Sequence, residues 1–247
     1  MSTLPWITCV CVSRNRPAFL RRAVRYFQWQ TYPRKDLVIV REGDEVVSGL
    51  TADLTNITVI DLPHGTPLTL GERRNISIQH AKGDYFCQWD DDDWYHSNRL
   101  EIQMSDLRAS EKPACVLNRL ILYDQPGNQA YLSSERFWEG TLLCKTEIVR
   151  DRIQYPKVNI SEDNSLVVAL IKRGWVHSLT APFLYAYVYH RGNTWDLAHF
   201  QQLFHAGYKL DKIARVVIEN ALCESADYDE ASAGVNRLNL EVPKGVV

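Results

Sequence analysis

The sequence predicts an α/β protein: a mostly parallel central sheet flanked by helices, with a smaller second sheet and helices at the C-terminus. Two observations on the first 113 residues predict the main sheet. Short apolar runs rich in β-formers alternate there with stretches of helical periodicity. Each run is closed by Pro, Gly or a cluster of polar residues. A third observation predicts the second sheet: after Pro113 the texture shifts to a hairpin signature and further strands.

In chain order, residues 6–12 form a buried strand, broken by Ser13-Arg14-Asn15-Arg16-Pro17. Pro17 suits a first helical turn. Phe19, Leu20, Ala23, Val24 and Phe27 then recur at helical spacing, with Arg21, Arg22 and Arg25 on the wet face, and Tyr32-Pro33 ends the helix. Residues 37–40 are a second buried strand. A strand, a helix and a strand in that order imply a right-handed parallel crossover. A third strand spans 57–62, a loop with two Pro and two Gly spans 63–71, and a helix spans 72–82, stopped by Gly83. The strand at 85–88 leads into an acidic cluster. Asn98 and Glu101 have capping-box spacing ahead of a helix carrying Leu100, Met104 and Leu107. Residues 114–123 and 129–132 read as a hairpin around Gln125-Pro126-Gly127-Asn128. Residues 133–144 lead to a short helix at 145–152. Ser161-Glu162-Asp163-Asn164 caps an apolar helix at 165–173, ended by Gly174. Strands follow at 175–179 and 183–189, then a polar turn at 190–195 and helices within 197–222. The last twenty or so residues carry weak signals and are expected to form a loosely packed tail.

At 247 residues the chain can bury a proper core. Its 45% apolar and 23% charged content is that of a soluble globular protein. A net charge of -2 gives no global reason to bind nucleic acid or anionic membrane. No apolar run is long enough to span a bilayer, and arginines interrupt the N-terminal region where a signal peptide needs an apolar core. The cysteines at 9, 11, 87, 115, 144 and 223 contain no C-x-x-C pair. Reduced, buried thiols in the cytoplasm are therefore expected.

Four groups could carry chemistry. The first is Trp89-Asp90-Asp91-Asp92-Asp93-Trp94, at the C-terminal end of a strand, where open α/β sheets bind ligands. Adjacent carboxylates repel by about 1 kcal/mol at 4 Å in water, and a bound Mg²⁺ or Mn²⁺ relieves that. A solvated acidic turn is the plain alternative, but it has no use for two flanking indoles. The second is Glu162-Asp163 in a first helical turn, where capping chemistry alone accounts for acids. The third is His190 at the end of an aromatic-rich strand, which unaided is no more than a structural or solvated histidine. The fourth is Arg73-Arg74 at a helix start; basic groups there oppose the dipole, and a phosphate would explain them, as would plain exposure.

As an ordered set, these features resemble family 2 glycosyltransferases with the GT-A fold. The set comprises Val12-Ser13-Arg14-Asn15-Arg16-Pro17, Gln30-Thr31-Tyr32-Pro33, Gly71-Glu72-Arg73-Arg74-Asn75, Lys82-Gly83-Asp84-Tyr85, the acidic cluster and Ser161-Glu162-Asp163. The resemblance covers residues 5–195. It implies inverting transfer of a sugar from a nucleotide diphosphate donor to an acceptor hydroxyl. By that resemblance the donor side comprises Ser13, Asn15, Glu42, Arg74, Asp90 and Asp91. Asp92, with Asp93 and His190, would hold Mn²⁺ or Mg²⁺. Asp163 would be the catalytic base, with Glu162 and Trp94 toward the acceptor. Two departures stand out: Arg41-Glu42-Gly43-Asp44 replaces a more usual pair of Asp, and Gln88-Trp89 replaces an aliphatic pair before the acids.

Residues 1–197 are then the glycosyltransferase domain, with 1–113 its donor half and 114–197 its acceptor half, and 198–247 a helical extension and tail. The expected partners are a UDP-sugar, UDP being the family's commonest choice, and a carbohydrate or glycolipid acceptor in polysaccharide or glycoconjugate synthesis. Nucleic acid is not an expected partner. The expected location is cytoplasmic, with peripheral membrane contact open. Two alternatives remain: a non-catalytic nucleotide- or carbohydrate-binding module, and a sugar nucleotidyltransferase. The second is disfavoured because no Gly-rich loop follows the first strand.

Overall fold

Alternating apolar runs build two sheets in the computed structural model, which describes residues 3–43, 55–223 and 226–241. The larger sheet holds β1 (Ile7–Arg14), β2 (Lys35–Glu42), β3 (Ile57–Leu62), β4 (Tyr85–Gln88), β6 (Ala114–Leu117), β9 (Trp138–Lys145) and β10 (Val176–Leu179). Its order is β10-β6-β9-β4-β1-β2-β3. Every neighbouring pair is parallel except the two that β9 makes, with β4 and with β6. The smaller sheet has the order β12-β8-β7-β11-β5, from β5 (Trp94–Tyr95), β7 (Ile121–Asp124), β8 (Gln129–Leu132), β11 (Tyr185–Tyr189) and β12 (Tyr208–Lys209). Among the described residues the α-helices are α1 (Pro17–Gln28), α2 (Leu70–His80), α3 (Arg99–Ser110), α4 (Thr146–Asp151), α5 (Glu162–Ile171), α6 (Leu197–Ala206), α7 (Lys212–Ala221) and α8 (Tyr228–Asn236).

The chain runs from β1 outward to β2 and β3, then returns to place β4 on the other side of β1. That reversal opens a crevice between the C-terminal ends of β1 and β4, the place where such sheets bind ligands. The pleat sends Cys9 and Cys11 into the larger apolar cluster, with Phe27, Leu37, Ile39 and Trp89, and Val10 into the opposite one, with Phe86, Leu142 and Leu166. Cys9, Cys11, Cys87, Cys115 and Cys144 are all buried, as expected.

Five expectations need correcting. The run at 114–123 is not one strand: it breaks after Leu117, and Ile121 resumes in the other sheet. Residues 133–144 contain a long strand, β9, whose antiparallel pairing makes the main sheet mixed. Its alternation is hidden because Leu142, Leu143 and Cys144 are buried on both faces. The Asn98–Glu101 capping box does not form; Glu101 instead accepts from the Thr31 hydroxyl at 2.7 Å. The box is at Thr69–Glu72, where Thr69 starts α2 inside the supposed loop. The tail is not loose where it is described. Tyr228 stacks on Tyr26 at 5.4 Å and on Trp29 at 4.6 Å, and its hydroxyl donates to the Tyr95 carbonyl.

Candidate active site

The acids leave β4 on a rigid base. Trp89 is buried, stacks on Tyr95 at 3.9 Å and donates from its indole to the Ala23 carbonyl at 3.1 Å. Gln88 takes the Tyr155 hydroxyl on Oε1 at 3.2 Å and donates from Nε2 to Asp90 at 3.2 Å. The departure Gln88-Trp89 thus has a structural account: one residue anchors the turn and the other orients the first acid. Trp94 is also buried, edge-on to His96 at 6.1 Å, and lines neither cavity of the site. The acceptor-side expectation for Trp94 is corrected accordingly.

The four carboxylates have four different environments. Asp90 pairs with Arg74 at 2.9 Å. Asp91 accepts from the Ser13 hydroxyl at 2.6 Å and from Arg16 at 3.3 Å; burial, with the charge of Asp92, pushes it up to about 7. Asp92 meets His190 Nε2 at 3.0 Å and Arg16 at 2.8 Å. Burial opposes its charge, but those two partners outweigh it and hold Asp92 below the usual carboxylate range. Asp93 accepts from Val188 N–H at 3.0 Å on one oxygen and from the Tyr185 hydroxyl on the other. Burial and the neighbouring charges of Asp92 and Asp90 push it well above the usual range. Both Asp93 oxygens are thus bonded within the fold, to Tyr185 and Val188, while the residue also lines both cavities of the site.

Among the described residues, no three His, Cys, Asp or Glu side chains converge as a ready metal cage. Asp92 and His190 nonetheless fit a divalent cation as two adjacent ligands, since Mg²⁺ and Mn²⁺ complete such an edge with water and phosphate oxygens. His190 packs against Phe19, the ring centroids 4.4 Å apart. Arg16 lies on the same acid and also donates to the Gly192 carbonyl, so a cation already offsets part of the cluster's charge. The motif around Ser13 contains Arg16, yet its type and position alone give no sign that it reaches residues 91 and 192. Arg22 is turned inward as well, donating to the Asp92 carbonyl at 3.1 Å, so the arginine stripe of α1 is not all wet.

Gly71-Glu72-Arg73-Arg74-Asn75 is a clamp in which every residue has a task. A Cβ on Gly71 would stand 1.9 Å from the Pro156 carbonyl oxygen, so only glycine lets α2 approach residues 156–158. Glu72 closes the capping box with Thr69. Arg73 pairs with Glu42 at 2.5 Å and donates to the Leu68 and Thr66 carbonyls. Arg74 donates through Nε to Glu162 at 2.9 Å and through Nη2 to Asp90, while its buried Nη1 has no partner. Burial opposes the Arg74 charge, but the two acids outweigh it and hold the guanidinium firmly ionised. Asn75 exchanges two hydrogen bonds with the Tyr155 backbone, at 2.8 and 3.0 Å. The clamp fixes the segment whose end is Ser161, held at φ 62, followed by Glu162 and Asp163 in the first turn of α5. Both arginines are therefore ion-paired and buried, rather than awaiting a phosphate alone.

Glu42 is buried among Arg73, Arg14 at 3.5 Å and the Gly65 N–H at 2.8 Å. Asn15 has φ 52 and donates its N–H to the Glu42 carbonyl at 3.0 Å. Asp44 lies outside the described residues.

Two cavities meet over the acids. One is bounded by Val12, Arg16, Arg74, Asp92 and Asn193. The other, of about 230 Å³, is bounded by Arg136, Trp138, Glu139 and His199. They share a wall of Asp90, Asp93, Ser161, Asp163, Tyr187 and Trp195. Asp163 thus faces both spaces, its Oδ1 bonded only locally, to Asn164 N–H at 2.8 Å. Glu162 faces only the first, turned onto Arg74.

The sequence model of glycosyl transferase family 2 matches residues 8–166. No curated protein sequence matches the chain. Similar solved structures include S. aureus TarS 1–349 in complex with UDP-GlcNAc, at a TM-score of 0.63 and 12% identity over 93% of this chain and 70% of that one. They also include the mannosyltransferase PcManGT from Pyrobaculum calidifontis in complex with GDP-Man and Mn²⁺, at a TM-score of 0.59 and 13% identity over 96% and 72%. At such identities the likeness shows the fold, and it is the expected GT-A arrangement.

Proposed function

Because the chain belongs to glycosyl transferase family 2 and is a glycosyltransferase, we propose that it moves a sugar from a nucleotide diphosphate donor to an acceptor hydroxyl with inversion, by a single displacement. The observation that carries this reading is the position of Asp163 on the wall common to the two cavities. A carboxylate there takes the proton of a hydroxyl arriving from one cavity as that oxygen attacks a carbon held in the other, worth typically 10²–10⁴-fold in rate.

The donor takes the cavity over Asp90, Asp91 and Asp92. Ser13 and Asn15 flank its base end, with Glu42 holding Arg73 behind them. Asp90 receives the ribose, and Arg74, paired with Asp90 and lining the same cavity, brings positive charge toward the ribose or the diphosphate. Asp92 and His190 would hold Mn²⁺ or Mg²⁺, which supplies charge to stabilise the departing diphosphate. Arg16 adds positive charge at the same place. The bound Mn²⁺ named for PcManGT and the nucleotide sugars named for both relatives support this use of the cleft.

We assign the donor half to residues 1–113 and the acceptor half to 114–197, and place the enzyme in polysaccharide or glycoconjugate synthesis at the cytoplasmic side, with a UDP-sugar as the first donor to test. Among the described residues, no helix is long and apolar enough to cross a membrane. The test is a thermal-shift screen of UDP- and GDP-sugars with and without Mn²⁺, followed by assay of released nucleotide. A ligand that binds only the native state raises apparent stability by mass action. A stabilising donor that also turns over supports the reading; stabilisation without transfer or hydrolysis across donors and acceptors indicates a binding module.

A further inference from the structure

The second cavity has its own chemistry, and the donor leaves it unused. We infer that it takes the acceptor as a neutral sugar ring, selected against anionic acceptors by the segment holding Arg136, Trp138 and Glu139 together with His199. This rests on the glycosyl-transfer reading above and names the acceptor class for that site.

Arg136 donates to both Glu139 carboxylate oxygens at 2.6 Å, and its guanidinium lies over the Trp138 ring at 4.7 Å. A planar cation, an indole and a carboxylate are thus assembled within four residues at the entry to β9. Trp138 is buried, and its indole N–H has no partner in the protein. Across the cavity Trp195 stacks on His199, rings 4.3 Å apart and 17° from parallel. A flat aromatic surface suits the apolar face of a sugar ring, while its rim of hydroxyls needs acceptors. Asp163 and Glu139 supply them.

The charge balance excludes anions. Asp90, Asp93, Glu139 and Asp163 line the cavity. Among the described residues, Asp90 is matched by Arg74, the one permanently charged cation lining the cavity, Arg136, is matched by Glu139, and Asp163 has no ion-pair partner. A uronate or a polyol phosphate would bring its charge among carboxylates with no uncommitted cation to receive it, which is specificity by repulsion. At the floor, a Cβ on Gly140 would stand 3.3 Å from the Tyr185 hydroxyl and 3.5 Å from Asp90. A side chain there would take up space at the edge of this cavity.

The test measures binding of methyl glucoside, methyl mannoside and methyl N-acetylglucosaminide against methyl glucuronide and glycerol phosphate, by saturation-transfer NMR on the full chain with UDP and Mn²⁺ present and absent. At least one neutral glycoside should bind at least tenfold more tightly than either anion. Glu139→Gln and His199→Ala should each weaken it about fivefold, the loss of one contact, without changing the thermal shift that nucleotides give. Tighter binding of an anion, no neutral binding at millimolar concentration, or binding untouched by both variants overturns the inference. If nucleotides fail to shift the wild-type protein, the donor reading fails separately, and the glycoside contrast still decides this one.

Discussion

Arg74 and Glu162, 88 positions apart, are joined at 2.9 Å by a buried ion pair. Through the same guanidinium Glu162 is tied to Asp90, so the acidic cluster after β4 and the helix start that carries Asp163 are joined by one side chain. Replacing it by Arg74→Met strands two carboxylates around a buried gap. We expect a loss of about 3–5 kcal/mol, as when one partner of a buried pair is removed, read from urea unfolding. A loss below about 1 kcal/mol would show that the acids are solvated after all.

Asp163→Asn should leave the fold and the nucleotide-induced thermal shift intact while lowering turnover by about 10²–10⁴-fold. Donor affinity falling in step with turnover would remove Asp163 from the role of base.

Asp92 and Asp93 separate the metal question cleanly. Asp92→Asn should weaken Mn²⁺ binding in the presence of UDP by tenfold or more, about 1.4 kcal/mol, measured by electron paramagnetic resonance. Asp93→Asn keeps the shape of a group whose oxygens point at Tyr185 and Val188, and should leave Mn²⁺ affinity nearly unchanged. The reverse pattern would make Asp93 the ligand.

Tyr228→Ala tests whether the C-terminal helix belongs to the core. The ring is buried against Tyr26, Trp29 and Trp94. We expect a cost of about 3 kcal/mol, the low end for a large buried aromatic truncated to alanine, seen as a lower unfolding midpoint. An unchanged midpoint would mean that α8 contributes nothing to global stability.

His96 predicts a pH dependence. It is buried, takes the Asn98 N–H on Nδ1 at 3.0 Å and so donates from Nε2 to the Ser232 carbonyl at 3.1 Å. Burial lowers its proton affinity. The unfolded chain therefore gains this proton first on acidification. The contribution of His96 is full above the unfolded value near 6.5 and is lost as pH falls through the folded value. Melting temperature should drop between pH 7.5 and 5.5, and the drop should shrink in His96→Asn. An equal slope in that variant would place the titration elsewhere.

Much of the fold was legible because burial leaves a period in the sequence. The parallel strands around β1 and helix α1 follow directly from their apolar spacing. β9 was missed because a strand buried on both faces has no alternation, and because its partners β4 and β6 precede it by at least twenty positions. The acidic cluster stood out by residue type and Asp163 only through the family resemblance, whereas what each acid touches was not legible. Asp92 and Asp93 are adjacent and chemically identical in the sequence, and only tertiary contacts from β11 and residue 190 distinguish them. Arg16 shows the same limit from the other side: its partners come from residues far along the chain.

Strand β9 has a consequence for how such an enzyme changes over generations. Its later half is locked into the sheet, with Cys144 opposite both Phe86 and Ala114, while its first residues stand at the cavity edge. On the proposed division of the two cavities, drift in that leading stretch would re-address the enzyme to a different recipient without disturbing the acids assigned to the nucleotide.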